Sequence, residues 1–111
     1  MQTNLQKRVE TIRRTGTRGR GQWLRVCSGP GAEGRVVISI RRKFGKAVRR
    51  NRIRRQLRAL CRDLFDPSWD ARLTLLSVDD RTGGVSFAAL REDLTRALRQ
   101  ARVPVRSPES P

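Results

Sequence analysis

Cationic side chains crowd the stretch from position 41 to position 62. This stretch holds 11 Arg and Lys residues and no Asp or Glu. A guanidinium group is planar and can donate two parallel hydrogen bonds to a phosphate or to a base edge. This residue type at this density therefore indicates binding to a polyanion, with nucleic acid as the leading class of partner.

The charge of the whole chain supports the same class of partner. Its 111 residues include 26 Lys and Arg against 10 Asp and Glu, which gives a formal net charge of +16. A charge of that size attracts polyanions and makes the compact state repel itself. A surface that is charged only for solubility usually mixes both signs, and positions 41–62 do not.

The sequence has few of the residue types that protein-based catalysis uses. The chain contains no histidine, and Cys27 and Cys61 lack the spacing of a zinc site or of a disulfide framework. A few carboxylates could be imagined as magnesium ligands but fit better as helix-end and loop residues. These are Asp63, Asp66, Asp70, Asp79 and Asp80. We therefore predict no catalytic residue, no metal site and no cofactor held by the protein.

Targeting and membrane signals are not evident in the sequence. The N-terminus lacks the apolar segment of a secretory signal peptide. No apolar run approaches the ~20 residues that a membrane span needs. We expect a cytoplasmic protein with no membrane partner.

Hydrophobic patterning predicts one α+β domain over residues 1–103, in the order α-β-β-(β)-α-β-α. Helices are expected at 4–14, from after Gly45 to about Leu64, and after an N-cap at Ser86. Strands are expected at 22–28, 35–40 and 72–78, with a loop at 15–21 and a hairpin turn at 29–34. Residues 41–44 either prolong the second strand or form a loop. The proline-rich tail, 104–111, is expected to be disordered.

Two of the predicted helices have an apolar stripe. In the last helix it consists of Phe87, Leu90, Leu94, Leu98 and Ala101. In the basic helix Ile53, Leu57, Leu60, Cys61 and Leu64 fall within about 100° of arc. The roughly opposite face carries Asn51, Arg55, Arg58 and Arg62, flanked by Arg52 and Arg54. Arginines at this spacing repel one another by about 0.2–0.5 kcal/mol per pair, and an external polyanion would offset that repulsion.

The segment "RVVISIRRKFGKAVRRNRIRRQLRALCR" (35–62) resembles the signature of the protein subunit of bacterial ribonuclease P. That signature is a strand, a basic stretch, a glycine and an "RNR" helix that continues with basic residues. The resemblance implies an α+β fold in which a small mixed sheet packs with three helices. It also implies a left-handed β-α-β crossover around the basic helix, although about 98% of such connections are right-handed.

The resemblance implies a role beside a catalytic RNA. In this family the RNA performs the magnesium-dependent cleavage that releases the 5′ leader from precursor tRNA, and the protein is an accessory subunit. The implied partners are the ribonuclease P RNA and precursor tRNA, with no protein partner required, and Mg²⁺ belongs to the RNA-based holoenzyme. The candidate RNA-binding residues are Arg41, Arg42, Lys43, Lys46, Arg50, Asn51, Arg52, Arg54 and Arg55 from the motif, and Arg58 and Arg62 from the helical face.

The family also binds the single-stranded leader in a cleft on the open face of the sheet. Aromatic side chains usually line that cleft, which suits stacking on unpaired bases. Here Val9, Arg13 and Cys27 stand at the aromatic positions, and Trp23 is the one ring expected on that face. Trp23 is either a platform for bases or a residue that packs the sheet. Arg25, on the same face, could follow the leader backbone.

Two other functions remain open at this point, and a third has no support. A structural RNA-binding protein, such as a ribosomal protein, would share the size and the charge. A DNA-binding helix-turn-helix protein would need a short helix directly before the basic one, whereas residues 35–40 indicate a strand. Nothing in the sequence supports a stand-alone nuclease.

Overall fold

The computed structural model describes residues 5–31 and 34–106, which form three helices and one four-stranded sheet. The elements are α1 (Leu5–Thr15), β1 (Thr17–Arg20), β2 (Leu24–Pro30), β3 (Arg35–Ser39), α2 (Ala47–Leu64), β4 (Arg72–Val78) and α3 (Phe87–Gln100). Short 3-10 helices at Arg42–Phe44 and Pro67–Ala71 flank α2. The predicted α+β architecture of a small mixed sheet with three helices is confirmed.

The sheet has the strand order β1-β2-β4-β3. β1 with β2 and β2 with β4 pair antiparallel, whereas β3 pairs parallel with β4. Parallel neighbours need a long crossover connection, which α2 supplies here. The sequence prediction of a crossover around the basic helix is therefore correct in its elements, and its left hand stays a prediction.

The predicted loop at 15–21 is wrong, because residues 17–20 form the edge strand β1. Gly19 explains the error. A Cβ atom added to Gly19 would lie 1.9 Å from the carbonyl oxygen of Ala97 in α3. A glycine inside a strand often marks the close approach of another backbone. The glycine here allows α3 to pack on β1 and does not signal a loop.

The predicted hairpin across 29–34 is also wrong. β2 continues to Pro30, and β3 pairs with β4 rather than with β2. The burial of β4 gives the reason: Leu73, Thr74, Leu75 and Leu76 are all buried, so both faces of this strand need cover. A strand buried on both faces belongs in the interior of a sheet, and β4 takes that place between β2 and β3.

The main core lies between the sheet and the helices α2 and α3. Their predicted apolar stripes are confirmed, except that Cys61 is half-buried and Phe87 is 41% exposed. Phe87 is the first residue of α3, and the buried contacts of the helix begin one turn later, at Leu90. The predicted N-cap is confirmed, since the Ser86 hydroxyl accepts a hydrogen bond from the Ala89 N–H at 3.1 Å.

Part of the predicted tail is attached to the domain. The Pro104 carbonyl accepts a hydrogen bond from Trp69 Nε1 at 2.6 Å, and the Arg106 N–H donates to the Leu64 carbonyl at 2.9 Å. The expected disorder therefore does not hold for 104–106, and 107–111 lie outside the described residues. Within 5–31 and 34–106, no helix is long and apolar enough to cross a membrane.

Candidate nucleic-acid interface

The exposed side of α2 carries an arginine ridge, which comprises Arg52, Arg54, Arg55, Arg58 and Arg62. Arg54 is half-buried and donates a hydrogen bond to the Asn51 side chain at 3.3 Å, whereas the other four are exposed. Four of the five, with Asn51, line one shallow groove along the helix. The structure thus places the cationic face where the sequence predicts it, opposite the buried stripe of the same helix.

The arginine ridge lacks anionic partners among the residues that the structure describes. The nearest carboxylate in sequence, Asp63, pairs instead with Arg91 of α3 at 2.9 Å. No ion pair within that part of the chain involves a ridge arginine. Within the described residues the positive charge of the ridge is therefore uncompensated, which favours a polyanion on this surface.

The arginines that open α2 have contacts within the protein. Arg50 Nη1 donates a hydrogen bond to the Gly45 carbonyl at 2.8 Å, and the Arg49 guanidinium lies over the Phe44 ring, 5.7 Å from its centroid. Arg50, a candidate RNA contact, therefore also holds the turn before the helix. The preceding candidates Arg41, Arg42, Lys43 and Lys46 are exposed.

A second cationic surface lies on the opposite face of the sheet. We call it the arginine cleft, a depression of about 740 Å³ that is lined by Arg13, Arg18, Arg20, Arg25 and Arg41. Its floor includes Cys27 and Ser77, which alternate along β2 and β4 with the core residues Val26 and Val78. No carboxylate and no aromatic ring is among the described residues that line it.

The cleft places like charges next to one another. Arg20 and Arg25 are direct cross-strand partners in the β1–β2 pair, and Arg18 stands opposite Cys27. Like charges that face each other directly across two strands destabilise the sheet. An anion held between them would remove that repulsion.

The structure brings together three of the five residues that the sequence assigned to a leader cleft. Arg13, Arg25 and Cys27 line the arginine cleft, whereas Val9 and Trp23 do not. Trp23 is half-buried and packs against the main core, because β2 begins only at Leu24 and the strand alternation does not reach position 23. This arrangement corresponds to the sheet-packing alternative for Trp23.

Arg18 and Arg20 are cleft residues that the sequence analysis missed. Their spacing of two places both on one face of a strand, which was a usable signal once residues 17–20 were recognised as β1. Contacts at both ends hold this strand in place. The Arg18 guanidinium donates to the Arg13 carbonyl, and the Arg20 N–H donates to Gln100 Oε1 at 3.0 Å.

Asp93 is a second residue that the sequence did not single out. It lies on α3, is 2% exposed, and accepts hydrogen bonds from the N–H groups of Gln22, Trp23 and Leu24 at 2.5, 3.0 and 2.9 Å. A buried carboxylate needs such donors, and here they are the backbone of the turn between β1 and β2. Asp93 thereby fixes the turn that sets the two arginine-bearing strands of the cleft side by side.

Two carboxylates stand at one end of the cleft. Hydrogen bonds from Arg81 hold the pKa of Asp79 down at about 2, with a smaller contribution from the charge of Arg25. Asp80 lies 3.7 Å from Arg41, which lines the cleft. Within the described residues, no group of three or more His, Cys, Asp or Glu side chains gathers to hold a metal ion.

The amino-acid sequence matches the model of one known protein family over most of its length. A family model described as "Ribonuclease P" matches residues 4–102. The chain belongs to the ribonuclease P protein family. The resemblance first drawn from residues 35–62 is confirmed over most of the chain.

Individual members of the ribonuclease P protein family are similar to this chain in sequence. The ribonuclease P protein component of Thermus oshimai is 43% identical over 89 residues, which cover 79% of this chain and 56% of that protein. The chain spans about half the length of the curated relatives it matches.

Solved structures of ribonuclease P proteins share the fold. A mutant of the Staphylococcus aureus protein superposes with a TM-score of 0.75 at 18% identity, covering 94% of this chain and 88% of that chain. The Thermotoga maritima protein gives a TM-score of 0.68 at 22% identity, with 86% and 92% covered. Among the described residues, β3 and a 3-10 helix precede α2, and the short helix that a helix-turn-helix protein needs directly before its basic helix is not found there.

Proposed function

We propose that the chain is the protein subunit of ribonuclease P and assists a catalytic RNA in removing the 5′ leader of precursor tRNA. The observation that carries the proposal is the pair of cationic surfaces on a ribonuclease P protein fold. The arginine ridge and the arginine cleft lie on opposite sides of the sheet. A single protein molecule can therefore contact two RNA segments at once.

The arginine ridge is the surface proposed for the ribonuclease P RNA. Its guanidinium groups project from a helix whose other face is fixed in the core, so their backbone positions form a fixed row. A row of cations on a fixed backbone suits phosphates held in a structured RNA, because little backbone freedom is lost on binding. The exposed residues Arg41, Arg42, Lys43 and Lys46 extend this surface toward the cleft.

The arginine cleft is the surface proposed for the single-stranded leader. The cleft offers five guanidinium groups and no aromatic ring, so we propose that it binds the leader through phosphates rather than by stacking. Binding of this kind has little dependence on base sequence and a strong dependence on salt.

Catalysis in this proposal belongs to the RNA and its Mg²⁺ ions. The part played by the protein is electrostatic: it lowers the repulsion between the phosphates of the two RNAs and holds the leader in place. We propose that this takes place in the cytoplasm, where precursor tRNA is processed.

The decisive experiment is cleavage of precursor tRNA by the cognate ribonuclease P RNA at low Mg²⁺, with and without the protein. We expect efficient cleavage only when the protein is present. A variant with Arg52→Gln and Arg55→Gln is the matched control, because it keeps the fold and removes two ridge charges. If the protein binds the RNA without changing cleavage, the proposal fails and a structural RNA-binding role of the ribosomal type takes its place.

A further inference from the structure

A small apolar pocket lies beside the C-terminal end of the arginine ridge. It has a volume of about 310 Å³ and is lined by Gly34, Val36, Cys61, Arg62, Phe65 and Trp69. Phe65 follows the last residue of α2 and is 40% exposed, although most large apolar side chains of this protein are buried. We call this depression the aromatic pocket.

The two rings of the aromatic pocket have different roles. The Phe65 and Trp69 rings meet edge to face, with centroids 5.9 Å apart and planes at 65°. Trp69 is almost fully buried, and its Nε1 is already bonded to the Pro104 carbonyl. Trp69 therefore forms a fixed floor without a free donor, and Phe65 is the ring that solvent can reach.

The remaining walls, as far as the described residues form them, are uncharged except at one point. Burial raises the pKa of the Cys61 thiol to about 11, so the thiol is neutral at physiological pH, and Val36 of β3 adds a methyl surface. Among the described residues that line the pocket, Arg62 alone is charged, and it is also part of the arginine ridge and lines its groove. The pocket and the ridge are thus one continuous surface that shares a guanidinium group.

We propose that the aromatic pocket binds an unpaired nucleobase of the RNA that docks on the arginine ridge. The base stacks on Phe65, and its phosphate contacts Arg62. This inference rests on the proposed docking of RNA on the ridge. An unpaired nucleotide combines an apolar ring face with an adjacent negative charge, and proteins recognise it by aromatic stacking beside a cation. The pocket presents these two features next to each other.

The first test measures binding of the cognate ribonuclease P RNA to three proteins: the wild type, Phe65→Leu and Phe65→Tyr. Leu keeps the apolar contact with Trp69 but has no ring face, whereas Tyr keeps the ring. We expect binding by Phe65→Leu to weaken by about 5- to 150-fold, the range for loss of one stacked base. The slope of log K against log salt should stay unchanged, because no charge is removed. Phe65→Tyr should bind within about twofold of the wild type.

Other results would overturn the proposal in distinguishable ways. If the wild type binds the RNA and Phe65→Leu binds equally well, the base pocket is wrong and an apolar side chain of a protein becomes the better occupant. If Phe65→Tyr is as weak as Phe65→Leu, the ring face is not what the RNA contacts. If the wild type itself does not bind this RNA, the proposed function fails first.

A second readout does not depend on affinity. The chain has two tryptophans, so Trp23→Phe leaves Trp69 as the single tryptophan. We expect the fluorescence of Trp69 to change when the RNA is added, and the change to be lost when Phe65→Leu is combined with Trp23→Phe. Unchanged Trp69 emission with the RNA fully bound contradicts the proposal.

Discussion

At the scale of single residues, the backbone of Arg102 is held in a conformation that costs stability. Its φ of 59° is in the left-handed region that favours glycine. It ends α3 in a Schellman-type turn, in which the Val103 N–H donates to the Leu98 carbonyl at 2.9 Å. The Arg102 side chain is exposed, so packing does not explain why an arginine stands there.

Replacing Arg102 with glycine should therefore stabilise the protein. Relief of the left-handed strain should raise the free energy of unfolding by about 1–2 kcal/mol. The greater freedom of glycine in the unfolded chain should lower it by about 0.5–1 kcal/mol. We expect a net gain of about 0.5–1 kcal/mol in the free energy of unfolding, measured by urea denaturation. Arg102→Ala is the control, since alanine removes the side chain but keeps the strain. Equal stability of the two variants would contradict the strain argument.

Cys61 gives a prediction that depends on pH. Its pKa is raised from 9.0 to about 11 by burial, so at pH 8 only about 0.1% of it is the reactive thiolate, against about 10% for an unshifted thiol. We expect slow alkylation of Cys61 by iodoacetamide at pH 8 in the folded protein, and a rate that reaches half its maximum only near pH 11. The control is the same residue in the urea-unfolded chain, where the rate should reach half its maximum near pH 9. Fast alkylation of the folded protein at pH 8 would show that the thiol is not desolvated.

At the scale of elements, the sequence reveals the helices better than the sheet. The stripe from Ile53 to Leu64 and the cap at Ser86 are local patterns, and both were predicted correctly. Strand order is not local: β4 lies between β2 and β3 because both of its faces need cover, and no neighbour in sequence reveals that. The edge strand β1 was read as a loop because Gly19, a packing glycine, looks like a turn glycine in the sequence.

The packing role of Gly19 can be tested by substitution. An alanine Cβ would lie 1.9 Å from the Ala97 carbonyl oxygen, so β1 and α3 would have to separate. We expect Gly19→Ala to lower the free energy of unfolding by at least about 2 kcal/mol, as overpacking does. Gly83→Ala is a matched control, because its nearest neighbour is the flexible end of the Arg49 side chain. A similar small loss for both variants would mean that β1 and α3 separate easily.

At the scale of the whole molecule, the same sheet separates two cationic surfaces and holds both in a fixed relation. The ridge residues were predicted from the sequence because one helix carries them. The cleft was only half predicted, because its arginines come from α1, β1, β2 and the segment after β3, and they meet only through the strand order. Function that depends on a single element is thus easier to recognise from sequence than function that depends on the pairing of several.

The two surfaces should be separable by matched double variants. Arg18→Gln with Arg20→Gln removes two cleft charges, and Arg52→Gln with Arg55→Gln removes two ridge charges. We expect the cleft variant to weaken binding of leader-bearing precursor tRNA with little effect on mature tRNA or on the ribonuclease P RNA. Its log–log salt slope should fall by about 1.4, from about 0.7 for each single-strand phosphate contact.

The ridge variant should give the reverse result. Its binding to the ribonuclease P RNA should weaken, and the salt slope of that binding should fall by about 1.8, from about 0.9 for each duplex phosphate contact. Each variant is the control for the other, since both lose the same net charge from a molecule of +16. If both variants weakened both RNAs equally, only the overall charge would matter. If the cleft variant weakens only precursor tRNA and the ridge variant weakens only the ribonuclease P RNA, the fold directs each RNA to its own face of the sheet.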